Sequence, residues 1–250
     1  MREDLERDEV VAVVDRTVEE LLQQADVIGP PIDALSLARR HLGMQVCLDQ
    51  RQQERGRAQR SGGRRQIFLR PEPSEERHQW TIAHEIGEHF KETLLTRLGI
   101  EPGDTRPMAG ESLANLFAYH LLVPTCWFSQ DAPDRDYDLL ALKQLYATAS
   151  HEVIAWRFLD LPASCIVTVI DNGSIHRRRS NGWRVRRRLE PPEERCQRQV
   201  NESGCPRVIR ESGWTVQGWP VHREGWRREI LRSVVETSEL VGLAEPSFDE

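Results

Sequence analysis

The sequence predicts an α+β protein with a helix-rich N-terminal domain that contains a small β-strand region, followed by a small C-terminal α+β domain. Up to about residue 160, apolar residues recur mainly at the three- to four-residue spacing of amphipathic helices, interrupted by two short strand-like runs. After Pro162, short β-branched runs alternate with Asn-Gly turn signals, the pattern of β-hairpins. We therefore place the two domains at residues 1–160 and 161–250.

The first hundred residues alternate between helical and strand patterns. Val10–Ala25 has its apolar residues on one helical face, and Ile32–Leu42 repeats that pattern after a Gly-Pro-Pro break. Met44–Leu48 and Gln66–Arg70 are compact apolar runs and are predicted to be strands. Asp49–Arg65 between them is rich in arginine and glutamine, and we expect a polar connection there.

Two longer helices follow. The first starts after Ser74 and is expected to continue to about Leu98, and a Pro- and Gly-containing loop then leads to the second. The second helix begins near Glu111, contains several small alanines that allow close approach of another helix, and ends near Leu122 because Pro124 follows. Asp138–Leu161 then has the proportions of a helix-turn-helix pair.

The C-terminal domain is predicted to consist of short strands around one helix. The expected strands are Cys165–Ile170, Ile175–Arg179, Trp183–Arg187, Arg207–Ile209, Trp214–Val221 and Glu229–Val235, and the expected helix is Pro192–Ser203. Asn172-Gly173 and Asn181-Gly182 are the predicted hairpin turns.

Composition restricts the function classes. The net charge of −6 provides no overall attraction to nucleic acid, and 38% hydrophobic residues suffice for a buried core. Five scattered cysteines without a C-x-x-C pair indicate neither a disulfide framework nor a cysteine zinc site. The charged N-terminus and the lack of a long apolar run predict a cytoplasmic protein without a membrane segment.

The first long helix carries the sequence His84-Glu85-Ile86-Gly87-Glu88-His89. Zinc peptidases place two histidines four residues apart so that one helix face offers two ligands, and the glutamate between activates water. Here Glu88 occupies the fourth position, roughly 40° around the helix from His84, whereas His89 lies roughly 140° away. The sequence also offers Glu111 on the second helix as a third ligand, which would complete a metal site of one histidine and two carboxylates.

Three segments together resemble the ImmA/IrrE family of bacterial metallopeptidases. They are GPPIDALSLARRHLGMQV, WTIAHEIGEHF and ESLANLFAYHLLVP, in that order, and the similarity extends over about residues 10–160. The resemblance implies a zincin-like fold and a metal-dependent endopeptidase that cleaves a helix-turn-helix transcriptional repressor in a stress or mobile-element response. It also implies His84 and Glu111 as metal ligands and Glu85 as the general base.

Glu88 stands where the family usually has its second histidine, and three outcomes remain open. Glu88 could bind the metal directly, His89 could replace it through a local helix distortion, or the protein could be an inactive regulator that keeps the fold. A donor set with two carboxylates favours Zn²⁺ less strongly over Mn²⁺ or Fe²⁺, although zinc remains the expected metal.

Arginine-rich runs mark the start of the second domain. Arg177–Arg179 and Arg184–Arg188 could bind phosphate or an acidic protein. The sequence alone favours a solvated surface there, and the helix pair at 138–161 is poor in basic residues, so direct nucleic-acid binding is not expected. The oligomeric state is not predictable from these patterns.

Overall fold

The structure is a computed structural model that describes residues 7–100 and 107–236, with the side chains of residues 107–112 outside the description. The chain divides into two compact units. The first comprises the residues up to Pro133 together with Lys143–Ser150, and the second comprises Asp134–Leu142 and the residues from His151 onward. The α+β class predicted from the sequence is confirmed, whereas the boundary at residue 160 stays a prediction.

The first unit contains a three-stranded sheet and several helices. Strand β3 (Arg64–Leu69) lies in the centre, parallel to β1 (Gln45–Leu48) and antiparallel to β2 (Gly56–Ser61), so β2 is an edge strand. The elements up to the second long helix are α1 (Arg7–Gln24), α2 (Ala34–Ser36) continuing as a π-helical segment (Leu37–His41), β1 (Gln45–Leu48), β2 (Gly56–Ser61), β3 (Arg64–Leu69), α3 (Glu75–Arg97) and α4 (Pro107–Leu122).

Helices α3 and α4 pack closely against each other. A β-carbon added at Gly87 of α3 would lie 3.0 Å from the carbonyl oxygen of Ala114 and 3.2 Å from Cβ of Phe117 on α4. The rings of Phe90 and Phe117 stack with centroids 5.4 Å apart one turn further along α3. Glycine at position 87 therefore lets the two helix backbones approach, and apolar packing on either side holds them there.

Further helices and the five strands of the second sheet follow α4. They are α5 (Thr125–Asp134), α6 (Leu139–Leu145), α7 (His151–Arg157) with a 3₁₀ turn (Phe158–Asp160), β4 (Ile166–Asp171), β5 (Ser174–Ser180), α8 (Pro191–Ser203), β6 (Arg207–Glu211), β7 (Trp214–Pro220) and β8 (Arg228–Val235). The sheet is antiparallel with the order β5-β4-β8-β7-β6, so β5 and β6 are its edges.

Helix α8 covers one face of this sheet. Cys196 and Val200 of the helix are fully buried and belong to the same apolar cluster as Ile170, Val216 and Leu231 of the strands. The packing is close, since a β-carbon at Gly218 of β7 would come within 3 Å of three of its neighbours.

A buried ion pair also joins α8 to the sheet. Both terminal nitrogens of Arg178 on β5 bond to the carboxylate of Glu193 at 2.9 and 2.8 Å, and Glu193 is fully buried. Thr168 accepts a further bond from Arg178 at 2.6 Å, and Ser233 donates to Glu193 at 2.6 Å. Because each charge has several partners, this pair can remain in the interior.

The opposite face of the same sheet is covered by segments that precede β4. Tyr137 lies over the guanidinium of Arg232 on β8 at 3.8 Å, with the ring of Phe158 5.7 Å from it. The indole of Trp219 donates to Asp138 at 3.1 Å. Asp134–Leu142 and the α7 region thus complete the second unit.

One predicted strand is absent from the described chain. Residues 183–187 form no strand, and Asn181-Gly182 is not a hairpin turn, because neither residue has a positive φ. Instead the Asn181 amide accepts a bond from the Cys165 N–H at 2.8 Å and donates to the Leu161 carbonyl at 3.0 Å. In the described ranges, no helix combines the length and the apolar character that crossing a membrane requires.

Candidate active site

Helix α3 carries the predicted motif without interruption. It begins after Ser74, whose side chain accepts a bond from the Arg77 N–H, and it is α-helical through Arg97. His84, Glu85 and Glu88 line one cavity of about 520 Å³, as the helical spacing predicts. The remaining lining residues come from the chain around β2, from α3 and from α4: Glu54, Arg55, Gly56, Arg57, Ala58, Trp80, Thr81, Lys91 and Asn115.

His84 is held by helix α4. Its Nδ1 lies 3.1 Å from Oδ1 of Asn115, and since an amide oxygen only accepts, the hydrogen is assigned to Nδ1. Nε2 is then the nitrogen whose lone pair can bind a metal. Metal-binding histidines usually donate their second N–H to such an acceptor, which fixes the tautomer and the ring orientation. The His84–Asn115 pair therefore fits a metal ligand.

Glu85 lies against the edge strand. Its side chain is 5% exposed, and a β-carbon at Gly56 of β2 would lie 2.5 Å from its Oε1. The same β-carbon would meet Cγ2 of Thr81 at 2.4 Å, so no residue with a side chain fits at position 56 unless its neighbours move. Gly56 thereby allows the carboxylate to sit beside the strand backbone at the cavity wall.

Glu88 lies in the same cavity with a cation beside it. Its Oε2 is 3.7 Å from Nζ of Lys91, and both side chains are roughly three-tenths exposed. This exposed pair is worth little in stability, so the ammonium would not prevent the carboxylate from binding a divalent cation.

His89 lies elsewhere. Its side chain is 5% exposed, and Nε2 is 3.3 Å from the carbonyl oxygen of Gln66 on β3, to which it can donate. Burial lowers the pKa of this imidazole, an effect that its hydrogen bond to Gln66 partly offsets and that Arg65 and Arg60 reinforce. Because α3 is undistorted at this point, His89 does not join His84 in the cavity.

The predicted third ligand, Glu111, belongs to the start of α4. Its side chain lies outside the described residues. Among the side chains that are described, no group of three histidines, cysteines or carboxylates could hold a metal ion. Asn115, one turn after Glu111 on α4, does reach the cavity, so this face of α4 borders the site. The chemistry of His84 and Glu88 fits a divalent metal, with His84 supplying nitrogen and Glu88 supplying oxygen.

Sequence reasoning missed two contributors to the site. Strand β2 was expected to be a polar connection, although the Gly62-Gly63 pair that closes its hairpin with β3 was a usable turn signal. Asn115 could have been found from its spacing of four residues after Glu111. His120, also on α4, is fully buried and pairs through Nδ1 with Asp15 at 2.5 Å.

A protein-family model matches the part of the chain that contains the candidate site. Residues 39–158 match the model of peptidase family M78, the IrrE N-terminal-like domain. A solved structure described as a Mycobacterium tuberculosis transcriptional regulator has the same fold, with a TM-score of 0.64 and 16% identity over 91% of this chain and 80% of that chain. No curated protein sequence gave a significant match.

Proposed function

We propose that the protein is a metal-dependent endopeptidase of the ImmA/IrrE type, because residues 39–158 match the IrrE N-terminal-like domain of peptidase family M78. The observation that carries the proposal is the hydrogen bond from His84 to Asn115, beside Glu85 and Glu88 in one cavity. A histidine in an ordinary solvated helix face has no need of a partner that fixes its tautomer, whereas a ligand does.

His84, Glu88 and Glu111 are the proposed ligands of the metal, most suitably Zn²⁺, with Mn²⁺ or Fe²⁺ as alternatives. The metal would lower the pKa of water and polarise the substrate carbonyl. Glu85 would take the proton of the attacking water and pass it to the amine that leaves when the peptide C–N bond breaks. Burial of Glu85 against Gly56 supports this role, because it holds the carboxylate in one place.

Strand β2 is the proposed binding edge for the substrate. The Arg55 carbonyl accepts a bond from the Arg70 N–H at 2.9 Å, so the backbone groups of alternate residues from Arg55 point towards β3. Gly56 and Ala58, the residues between, direct their N–H and C=O groups outwards along the cavity. An extended segment of a protein could add to this edge as a further strand, with main-chain bonds supplying the affinity.

We propose a helix-turn-helix transcriptional repressor as the protein substrate, in a stress or mobile-element response. The ImmA/IrrE resemblance supports this choice, and the M. tuberculosis structure of similar fold is itself described as a transcriptional regulator. The cytoplasm is the compartment in which such a repressor is found.

The test combines metal analysis with cleavage of a repressor encoded beside the gene. Purified full-length protein should contain about one divalent metal per chain and should cut the repressor at a defined bond, as seen by mass spectrometry. Glu85→Gln should keep the metal and lose cleavage. The control Glu92→Gln, which changes an exposed carboxylate further along α3, should keep both the metal and cleavage. Absence of both metal and cleavage would overturn the proposal.

Replacement of Glu88 by histidine separates an enzyme from an inactive relative. If Glu88 is a ligand, the wild-type protein is active and Glu88→His changes metal preference towards zinc. If the wild-type protein is inert and Glu88→His gains both zinc and activity, the protein is a regulator that has lost catalysis.

A further inference from the structure

The second unit presents a concentrated basic surface. Residues 174–188 contain seven arginines and no acidic residue, in a chain whose net charge is −6. All of these arginines except Arg178 are exposed, and we call them the arginine strip: Arg177, Arg179, Arg184, Arg186, Arg187 and Arg188.

The fold directs these side chains outwards. Strand β5 is an edge of the sheet, and Arg177 and Arg179 both point to the face opposite the side chain of Arg178. In the following segment, Trp183, Val185 and Leu189 pack against the apolar core. The arginines between them are thereby turned towards solvent.

Arg178 holds the two halves of the strip together. Besides its buried bonds to Glu193, its Nε donates to the carbonyl oxygen of Arg186 at 3.1 Å. The segment after β5 therefore folds back within side-chain reach of the edge strand. Both sets of exposed arginines consequently flank the same edge of the sheet.

Half of the arginines in the strip, Arg177, Arg184 and Arg187, have no carboxylate partner among the described residues. Arg188 has only a contact of 3.8 Å with Glu190, and Arg177 lies over the ring of Trp156. Concentrated positive charge of this kind attracts a polyanion.

The absence of apolar and aromatic anchors narrows the choice of polyanion. A protein interface has an apolar core with aromatic hot spots, but the large exposed hydrophobic residues of the described chain, Ile28, Leu48 and Val208, lie outside residues 174–188. Single-stranded nucleic acid stacks its bases on exposed aromatic rings, and Trp183 packs into the core. The phosphate backbone of a duplex needs neither, and the guanidinium group matches phosphate geometry.

We propose that the arginine strip binds the phosphate backbone of double-stranded nucleic acid without sequence specificity. The strip belongs to the second unit, whereas the cavity that contains His84 and Glu88 belongs to the first. The sequence alone favours a solvated surface, and the fixed outward arrangement of the arginines is what changes that expectation.

The test is fluorescence anisotropy of the full-length protein with labelled 20-base-pair duplexes of unrelated sequence, in DNA and RNA forms. Neutralisation of up to six phosphates predicts a log–log salt slope of about −5, which is a loss of about 1,000-fold between 50 and 200 mM salt. Salt-dependent binding of either duplex supports the proposal. No binding at 50 mM salt overturns it, as does tighter binding of a polyglutamate peptide or a single strand.

Matched variants assign the effect to the strip. Arg184→Gln/Arg186→Gln/Arg187→Gln should reduce the salt slope by about three and weaken binding at least tenfold. The control Arg40→Gln/Arg51→Gln/Arg64→Gln removes three exposed arginines of the first unit and should change binding little. An equal loss in both variants would refute the assignment. Glu85→Gln should bind the duplex like the wild type, so failure of the peptidase proposal leaves this one intact.

Discussion

Replacement of Gly87 by alanine tests the close packing of α3 against α4. The added β-carbon would lie 3.0 Å from the Ala114 carbonyl oxygen, 3.1 Å from Cα of Ala114 and 3.2 Å from Cβ of Phe117. Ordinary contacts of this kind are about 3.5–4.0 Å, so the backbone of α4 must withdraw by several tenths of an ångström. A side chain cannot rotate out of the way, because two of the three atoms belong to the backbone.

The expected energy follows from two opposing terms. Alanine gains about 1 kcal/mol over glycine in a helix, whereas overpacking a core costs about 1–3 kcal/mol. We therefore expect a net loss of about 1 kcal/mol, or roughly 2 °C in Tm for a protein of this size. Gly87→Val, which adds two more methyl groups, should lose more than about 3 kcal/mol.

Gly29→Ala provides the control, since a β-carbon there has no atom within 4 Å and needs no positive φ. It should be neutral or gain up to about 1 kcal/mol from the stiffer unfolded chain. Urea unfolding of all variants, with hydrogen exchange of the α3 and α4 amides, gives the comparison. If Gly87→Ala is as stable as Gly29→Ala, or if the valine variant is tolerated, the close approach is not a constraint.

Three further outcomes are expected. Asn115→Ala should weaken metal binding about 10- to 100-fold in a chelator competition, because the imidazole it orients is released, and unchanged affinity would argue against a ligand role. Arg178→Met should destabilise the second unit by about 3–5 kcal/mol in urea unfolding, since Glu193 is left buried without its cation, and Arg178→Met/Glu193→Met should recover most of that loss. Burial raises the pKa of Cys196 to about 12, so at pH 8 only about one molecule in 10,000 carries the thiolate that reacts. Iodoacetamide should therefore label the exposed Cys205 at pH 8 and should label Cys196 only after unfolding. Mass spectrometry measures the labelled fraction of each cysteine, and equal labelling of both in the folded protein would contradict this expectation.

The long helices and the C-terminal strands were predictable because local signals and burial agree there. Helix α4 ends at Leu122, as Pro124 indicated, and the Asn172-Gly173 turn adopts positive φ at both residues as a tight hairpin requires. The placement of His84 and Glu88 in one cavity also followed from helical spacing alone.

The predictions failed where tertiary contacts decide the structure. Strand β2 is exposed along most of its length, so its arginine and glutamine residues show no apolar alternation. Asn181-Gly182 carries the same turn signal as Asn172-Gly173, but the Asn181 amide bonds to the backbone of Leu161 and Cys165, which both precede β4. No local pattern distinguishes the two pairs. Contact between Asn115 and His84 likewise depends on the crossing of α3 and α4.

Each unit is built from two separate stretches of the chain, since Asp134–Leu142 belongs to the second unit and Lys143–Ser150 to the first. No single cut therefore yields two intact pieces. A fragment ending at residue 160 would retain the rings of Tyr137, Trp156 and Phe158. It would lack Arg232 of β8, which packs on Tyr137 and Phe158, and Arg177 of β5, which packs on Trp156. Such a fragment would display newly uncovered aromatic rings and would be prone to aggregate. Isolated-domain studies of this protein would need an internal replacement of residues 134–142 as well as truncation.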